Sequence, residues 1–319
     1  MPELPDIVVY LEAVEARVLG EVLQALRILN PFVLRTVEPT PQEAAGRRVV
    51  DLRRLGKRLV LALEGELFLV IHLMIAGRLR WLEPGARVPR KGCLAALDFE
   101  PGTLLLTEAG ATRRASLHLV HGEQSLVEHQ RGGLEVLEAD LDAFRAALTR
   151  ESHTLKRALT DPRLFSGIGN AYSDEILHRA RLSPFQLSTR LEQAEVARLH
   201  RAAVDVLSEW VERLRAACGS GFPERVTAFR EGMAVHGRYG QPCPVCGSPV
   251  QRIVYAANQA NYCARCQTGG RLLADRSLSR LLKADWPKTL EELEERSTTT
   301  HRTLTTARRD GGDAGPSRH

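Results

Sequence analysis

Apolar residues first recur along this chain at Ile7, Leu11, Val14 and Val18, a 4-3-4 spacing that predicts one buried face of a helix. Pro5 suits the first helical position, Asp6 favours the positive end of the helix dipole, and Gly20 predicts a left-handed cap. That helix chemistry leaves Pro2 and Glu3, ahead of it, unexplained. The pattern then shortens. From residue 21 to about residue 121, runs such as RLVLALEGELFLVIHL, CLAALDF and GTLLLTEAG are separated by Gly, Pro and acidic turns, which predicts an antiparallel sandwich or barrel. From Leu134 the spacing is helical again, in LEADLDAFRAALTR and TLKRALTD. Thr189 and Glu192 predict a capping box for a long helix that ends at Cys218 before Gly219, with Leu191, Leu199, Leu207, Trp210 and Leu214 on its face. Gly237 to Gly270 is cysteine-rich; Asp275–Leu282 and Thr289–Glu295 predict short helices. The Thr-, Arg- and Gly-rich tail from Arg296 predicts disorder.

Composition narrows the class without naming a function. A chain of 319 residues, 44% hydrophobic and 26% charged, has ample material for about two globular domains. A formal charge of +5 and a pI near 9.0 modestly favour a polyanionic partner. No basic and apolar leader opens the chain, and its most apolar stretch, Phe68 to Gly77, is short and carries His72, so neither a signal peptide nor a membrane span is expected.

Two segments carry candidate chemistry. Cys243, Cys246, Cys263 and Cys266 form two C-x-x-C pairs with sixteen residues between them, a spacing that closes a tetrahedral site for one structural zinc and leaves no open coordination position. Cys93 and Cys218 lie far apart, which fits a reducing compartment rather than a disulfide framework. The second segment, Gly167-Ile168-Gly169-Asn170, joins two helical stretches. Its glycines permit close backbone approach, and amides entering a helix suit a DNA phosphate, to which Asn170 adds a side-chain donor and Lys156 a charge from one helix earlier. An ordinary helix-turn-helix without a ligand fits the same residues.

Taken together, PELPDI at the start, RRLGKRLVL around Lys57, SGIGNAYSDEIL and CPVCG…YCARCQ resemble, in that order, the formamidopyrimidine-DNA glycosylase / endonuclease VIII family of base-excision repair enzymes. The resemblance covers Pro2 to about Gln267. It implies an α+β multidomain fold. Residues 1–133 form a helix and antiparallel β-sandwich, 134–236 a helical domain with a helix-two-turn-helix, 237–272 a zinc hairpin, and 273–319 an extension largely disordered from residue 296. It also implies a use for the terminus. With Met1 removed, Pro2 is the nucleophile at C1′ of a damaged nucleotide, Glu3 exchanges protons at the opening sugar, and Lys57 reaches the phosphate and lesion sugar. An α-amino group titrates near 8, so a fraction of it is free to attack at neutral pH. Asn170 grips phosphate, and wedge residues fill the gap left by the extruded base. The implied partner is damaged double-stranded DNA, bound by a monomer in the cytoplasm at the nucleoid.

Several positions depart from the family pattern. Asp6 stands where Glu is common. The wedge loop reads HLMIAG, which puts Ile75 at the wedge position. TEAGATRRASL places Arg113 and Arg114 at the arginines of the purine-acting branch, with Ala115 in place of its Phe. Asn258 stands five residues before the third cysteine, where members carry an Arg that grips phosphate and assists δ-elimination; an amide brings neither charge nor fork. The expected activity is therefore a bifunctional glycosylase and abasic-site lyase acting on oxidised bases and cutting by β-elimination. A lesion-binding protein with little catalysis and a zinc-ribbon RNA-binding protein are the alternatives.

Overall fold

The computed structural model describes residues 1–89, 91–109, 113–224, 226–227, 229–255, 258–274, 287–293 and 295, the side chains of Tyr255 and Asn258 excepted. The expected helix at 275–282 and the expected disorder from residue 296 fall outside these residues. Helix α1 (Leu4–Val18) opens the chain. Its apolar face serves two cores: Leu4 packs among the helices, whereas Ile7, Tyr10, Val14 and Val18 pack on the sheets. Gly20 takes φ +82 just beyond the helix, but it does not form the expected left-handed cap: the C-cap is Leu19 in extended conformation, and the Gly20 N–H donates to the Val49 carbonyl at 2.9 Å.

Eight strands follow: β1 (Ala25–Ile28), β2 (Val49–Leu55), β3 (Arg58–Leu63), β4 (Leu67–His72), β5 (Gly77–Leu82), β6 (Cys93–Phe99), β7 (Gly102–Glu108) and β8 (Ser116–His121). Short helices α2 (Pro41–Ala44) and α3 (Glu123–Val127) lie in the connections. The strands form two antiparallel four-stranded sheets, β1-β6-β7-β5 and β2-β3-β4-β8, packed as a sandwich. The continuous apolar run of β3 has a physical reason. Leu59, Leu61 and Leu63 face the inter-sheet core, while Val60 and Ala62 pack on the opposite face with Phe68, Val70 and Leu126.

The helical part comprises α4 (Leu141–Thr149), α5 (Leu155–Thr160), α6 (Asn170–Ala180) and α7 (Gln193–Cys218). The long helix begins later than the Thr189–Glu192 capping box implied. Residues 188–190 form a 3-10 turn, Thr189 bonds Ser152, and Glu192 is the N-cap, its N–H accepted by Glu195 at 3.1 Å. Leu199, Leu207, Trp210 and Leu214 are buried as expected, and Gly219 ends the helix. The hairpin of β9 (Val250–Tyr255) and β10 (Asn258–Cys263) leads into α8 (Ala264–Thr268). Residues 290–293 are helical, within the short C-terminal helix expected at 289–295. Among the described residues no helix is long and apolar enough to cross a membrane.

Candidate active site and zinc finger

The terminus is built into the interior. Leu4 N–H donates to the Gly167 carbonyl at 2.9 Å, and Glu3 N–H donates to Asp6 Oδ2 at 2.8 Å. Glu3 then turns its carboxylate across to α6. Gly169 N–H donates to Oε2 at 2.7 Å, Ala171 N–H to Oε1 at 2.9 Å and Tyr172 N–H to Oε2 at 3.2 Å. These amides have no partner within their own helix, and a carboxylate suits the positive end of the dipole. The amide cluster that the sequence offers to a phosphate is thus filled by the protein's own Glu3, which is 2% exposed.

Lys57 comes from the two-residue turn between β2 and β3, where Gly56 takes φ +63 and Leu55 pairs with Arg58. A Cβ placed on Gly169 would lie 2.5 Å from Lys57 Nζ and 2.6 Å from Glu3 Oε1. Ammonium and carboxylate therefore converge on one glycine, whose missing side chain makes the space. Gly167, at φ +78, is required for a second reason: its Cβ would meet Leu4 Cβ at 2.7 Å. Burial lowers the Lys57 pKa, with Glu3 and Asp6 opposing that shift.

Above this floor opens a cleft of about 920 Å³ lined by Met1, Lys57, Arg58, His72, Met74 and Arg131, among others. Pro2, next to Met1, is buried. Burial also lowers the pKa of the terminal amine, and Glu3, Arg78, Asp6 and Lys57 act on it electrostatically. His72 is held down to about 4, mainly by burial and then by Arg58, so its imidazole is neutral at neutral pH.

The residues expected on DNA divide into two groups. Asn170 is half-buried at the first position of α6; its carbonyl accepts from Lys156, and no described residue bonds its side-chain amide. Ile75 is 58% exposed in the β4–β5 loop, which Arg78 braces through the Ile75 and Gly77 carbonyls. Arg113 and Arg114 are exposed beside residues 110–112, which are outside the described part. Lys156 differs from the expectation. It is 1% exposed and donates to Asp174 Oδ1 at 2.6 Å, Ser173 Oγ at 2.8 Å and the Asn170 carbonyl at 2.6 Å, so it supports the turn from within and does not reach a phosphate directly. The backbone of Asn258 pairs with Tyr255 in the zinc hairpin, and its side chain lies outside the described part.

Residues without a sequence signal complete the site. Arg230, between α7 and the hairpin, donates to Asp6 Oδ1 at 2.5 Å. Asp174 Oδ2 accepts from His236 Nδ1 at 2.8 Å and from Asn261 Nδ2 at 2.9 Å. Glu175 accepts the N–H groups of Ala234, Val235 and His236. Helix α6 therefore holds the terminus at its start and the hairpin segment along its length.

The four hairpin cysteines bring their Sγ atoms within 4.8 Å of one another, with Cys246 and Cys263 at 3.4 Å and Cys243 and Cys266 at 3.9 Å. Four thiolates so grouped fit a closed tetrahedral zinc site, and the finger holds a structural zinc. His178 of α6 places Nε2 at 3.3 Å from Cys243 Sγ, tying the site to the helical core.

Family models match three stretches of the chain between residues 1 and 269. The formamidopyrimidine-DNA glycosylase N-terminal domain matches residues 1–126, its H2TH domain residues 133–219, and the zinc finger found in FPG and IleRS residues 240–269. A formamidopyrimidine-DNA glycosylase-like protein of Mycobacterium tuberculosis is 43% identical over 151 residues, covering 47% of this chain and 94% of that protein. The formamidopyrimidine-DNA glycosylase of Thermus thermophilus is 35% identical over 286 residues, 85% of this chain and 100% of that protein. A crystal structure of the Thermus thermophilus protein superimposes with a TM-score of 0.70 over 83% of this chain and 98% of that one. The Lactococcus lactis glycosylase bound to DNA with an abasic site, 24% identical, shares the fold at a TM-score of 0.73 over 83% of this chain and 99% of that one.

Proposed function

This chain belongs to the formamidopyrimidine-DNA glycosylase family, and on that premise we propose that it excises oxidised bases from double-stranded DNA and cuts the strand at the resulting abasic site. The observation that carries the reading is the Glu3 carboxylate, fixed by three amides at the start of α6, next to Pro2 and sharing the space over Gly169 with Lys57, which lines the cleft.

In this reading removal of Met1 exposes the secondary amine of Pro2. Pro2 is buried, and a site removed from water disfavours the protonated form of an amine. The Pro2 nitrogen donates its lone pair to C1′ as the glycosidic bond breaks; the departing base takes a proton from water, and Glu3 accepts the proton that the new ammonium sheds. Glu3 then passes that proton to the ring oxygen as the sugar opens to an iminium. Water takes a C2′ proton, the C3′–O bond breaks to release the 3′ phosphate by β-elimination, and hydrolysis of the unsaturated iminium frees Pro2. Lys57 and Asn170 hold the backbone of the extruded nucleotide, Ile75 fills its place in the stack, and Arg113 and Arg114 approach the opposite strand. Asn258 supplies no charge for a second elimination, so the product keeps the unsaturated sugar. The zinc keeps the hairpin folded and takes no part in the chemistry.

Borohydride trapping on a duplex with one abasic site tests the reading. A covalent adduct that disappears when the amine is blocked or Met1 is retained supports it. No adduct from a protein that still binds the duplex would replace it with lesion binding alone. Efficient loss of the whole sugar would overturn the β-only assignment.

A further inference from the structure

Asp6 does not touch the cleft, yet it is the only described side chain that pins the first peptide of the mature chain. Its Oδ2 accepts the N–H of Glu3 at 2.8 Å, and that nitrogen belongs to the peptide plane joining Pro2 to Glu3. With this plane held, and Glu3's own side chain tied to α6, the pyrrolidine nitrogen of Pro2 retains few ways to turn. Asp6 is 3% exposed, and burial raises its pKa. An isolated carboxylate in such a place tends to protonate, which weakens it as an acceptor.

One cation answers it. Arg230 Nη2 donates to Asp6 Oδ1 at 2.5 Å, and the pair is almost wholly enclosed, with the two side chains 14% and 2% exposed. Arg230 Nε is buried with no partner among the described residues, so Asp6 is what holds the guanidinium. The segment that carries Arg230 is itself anchored on both sides. Val226 packs in the sandwich core and its carbonyl accepts from Arg78 Nε at 2.5 Å. Met233 packs in the helical core, and the next three amides are taken by Glu175.

We infer that Arg230 is a positioning residue for the proposed reaction: through Asp6 it holds the Pro2–Glu3 peptide so that the terminal amine faces C1′. The inference rests on the function proposed above. A cation that touches neither substrate nor amine then governs the rate of imine formation and not the grip on DNA. Placement of a nucleophile within fractions of an ångström is worth large rate factors, which is why so remote a contact matters.

The test is single-turnover borohydride trapping on abasic duplex at saturating protein, alongside equilibrium binding of a duplex carrying a stable abasic analogue. Arg230→Gln is expected to slow trapping about tenfold while changing affinity less than about twofold. Asp6→Asn should slow it to a similar degree, and the double variant no further, since both act through one contact. Arg230→Lys, which keeps the charge but not the planar fork, should recover part of the rate and serves as the test if Arg230→Gln does not fold. An unchanged trapping rate, a loss of affinity without a loss of rate, or fully multiplicative effects in the double variant would each overturn the inference. Absence of any adduct from the unsubstituted protein would instead mark failure of the glycosylase reading itself.

Discussion

Two glutamates in this molecule sit in nearly the same cradle. Glu3 and Glu175 are 2% and 6% exposed, and each carboxylate accepts three backbone N–H groups. The amides come from the start of α6 in one case and from residues 234–236 in the other. What differs is the rest of the surroundings. Glu3 adjoins the terminal residue pair and shares the space over Gly169 with Lys57, below an open cleft. Glu175 faces the segment it anchors, and burial raises its pKa against the pull of those amides. Buried amides satisfy a carboxylate equally well in either place; only a nearby nucleophile and access for a substrate turn such a carboxylate into a candidate acid–base group.

The same substitution at both positions separates these roles. Glu3→Gln is expected to lower single-turnover base excision by about 100-fold or more, the usual worth of a general acid–base group. Glu175→Gln should leave excision per folded molecule within about threefold and cost roughly 1–2 kcal/mol of stability in denaturant unfolding. Equal catalytic losses would erase the distinction. Gly169→Ala is the next sharpest probe. Its Cβ must displace Lys57 Nζ and the Glu3 carboxylate, so trapping should slow by about tenfold to 100-fold. Native-like activity in that variant would show that the convergence on Gly169 is unimportant.

Chelation of zinc probes the Glu175 side of α6. The hairpin should lose protection in hydrogen exchange, with duplex affinity falling by about tenfold, while the Glu3 cradle, built without the hairpin, stays protected. Simultaneous loss of both would mean that the two ends of α6 are not independent. The smallest effect concerns pH. His72 and His118 are held down to about 4 from 6.5, chiefly by burial, so the unfolded chain takes up their protons first. Their contribution to stability is full above about 6.5 and is lost as pH falls toward 4. Glu175 works in the opposite sense, because its raised pKa makes the folded state the better proton acceptor above 4.5. Thermal midpoints should therefore decline only gently on acidification, and less so in a His72→Asn, His118→Asn variant. A steeper decline in that variant would refute the assignment.

Much of the fold was legible because its signals are local. The buried face of α1 follows from spacing within the helix, the strands from short apolar runs, and the zinc finger from two knuckles whose ligand spacing is a property of the chain itself. The start of α7 lies beyond the place its capping chemistry suggests, because Thr189 is engaged by Ser152 and the cap passes to Glu192. Lys156 looks available to a phosphate because it is a lysine near a glycine turn. Its burial against Asp174 depends on how α5 packs on α6, which spacing does not encode.

By itself the sequence determined the periodic elements, the ligands of the zinc, and the proline–glutamate pair at the terminus as the place to look. Tertiary structure alone decided which anion occupies the start of α6, which carboxylate is paired by Arg230, and what Lys156 supports. The reason lies in distance along the chain. Glu3 meets Gly169 across 166 positions and Arg230 meets Asp6 across 224, so both contacts exist only once the sandwich and helical cores have packed on either side of α1.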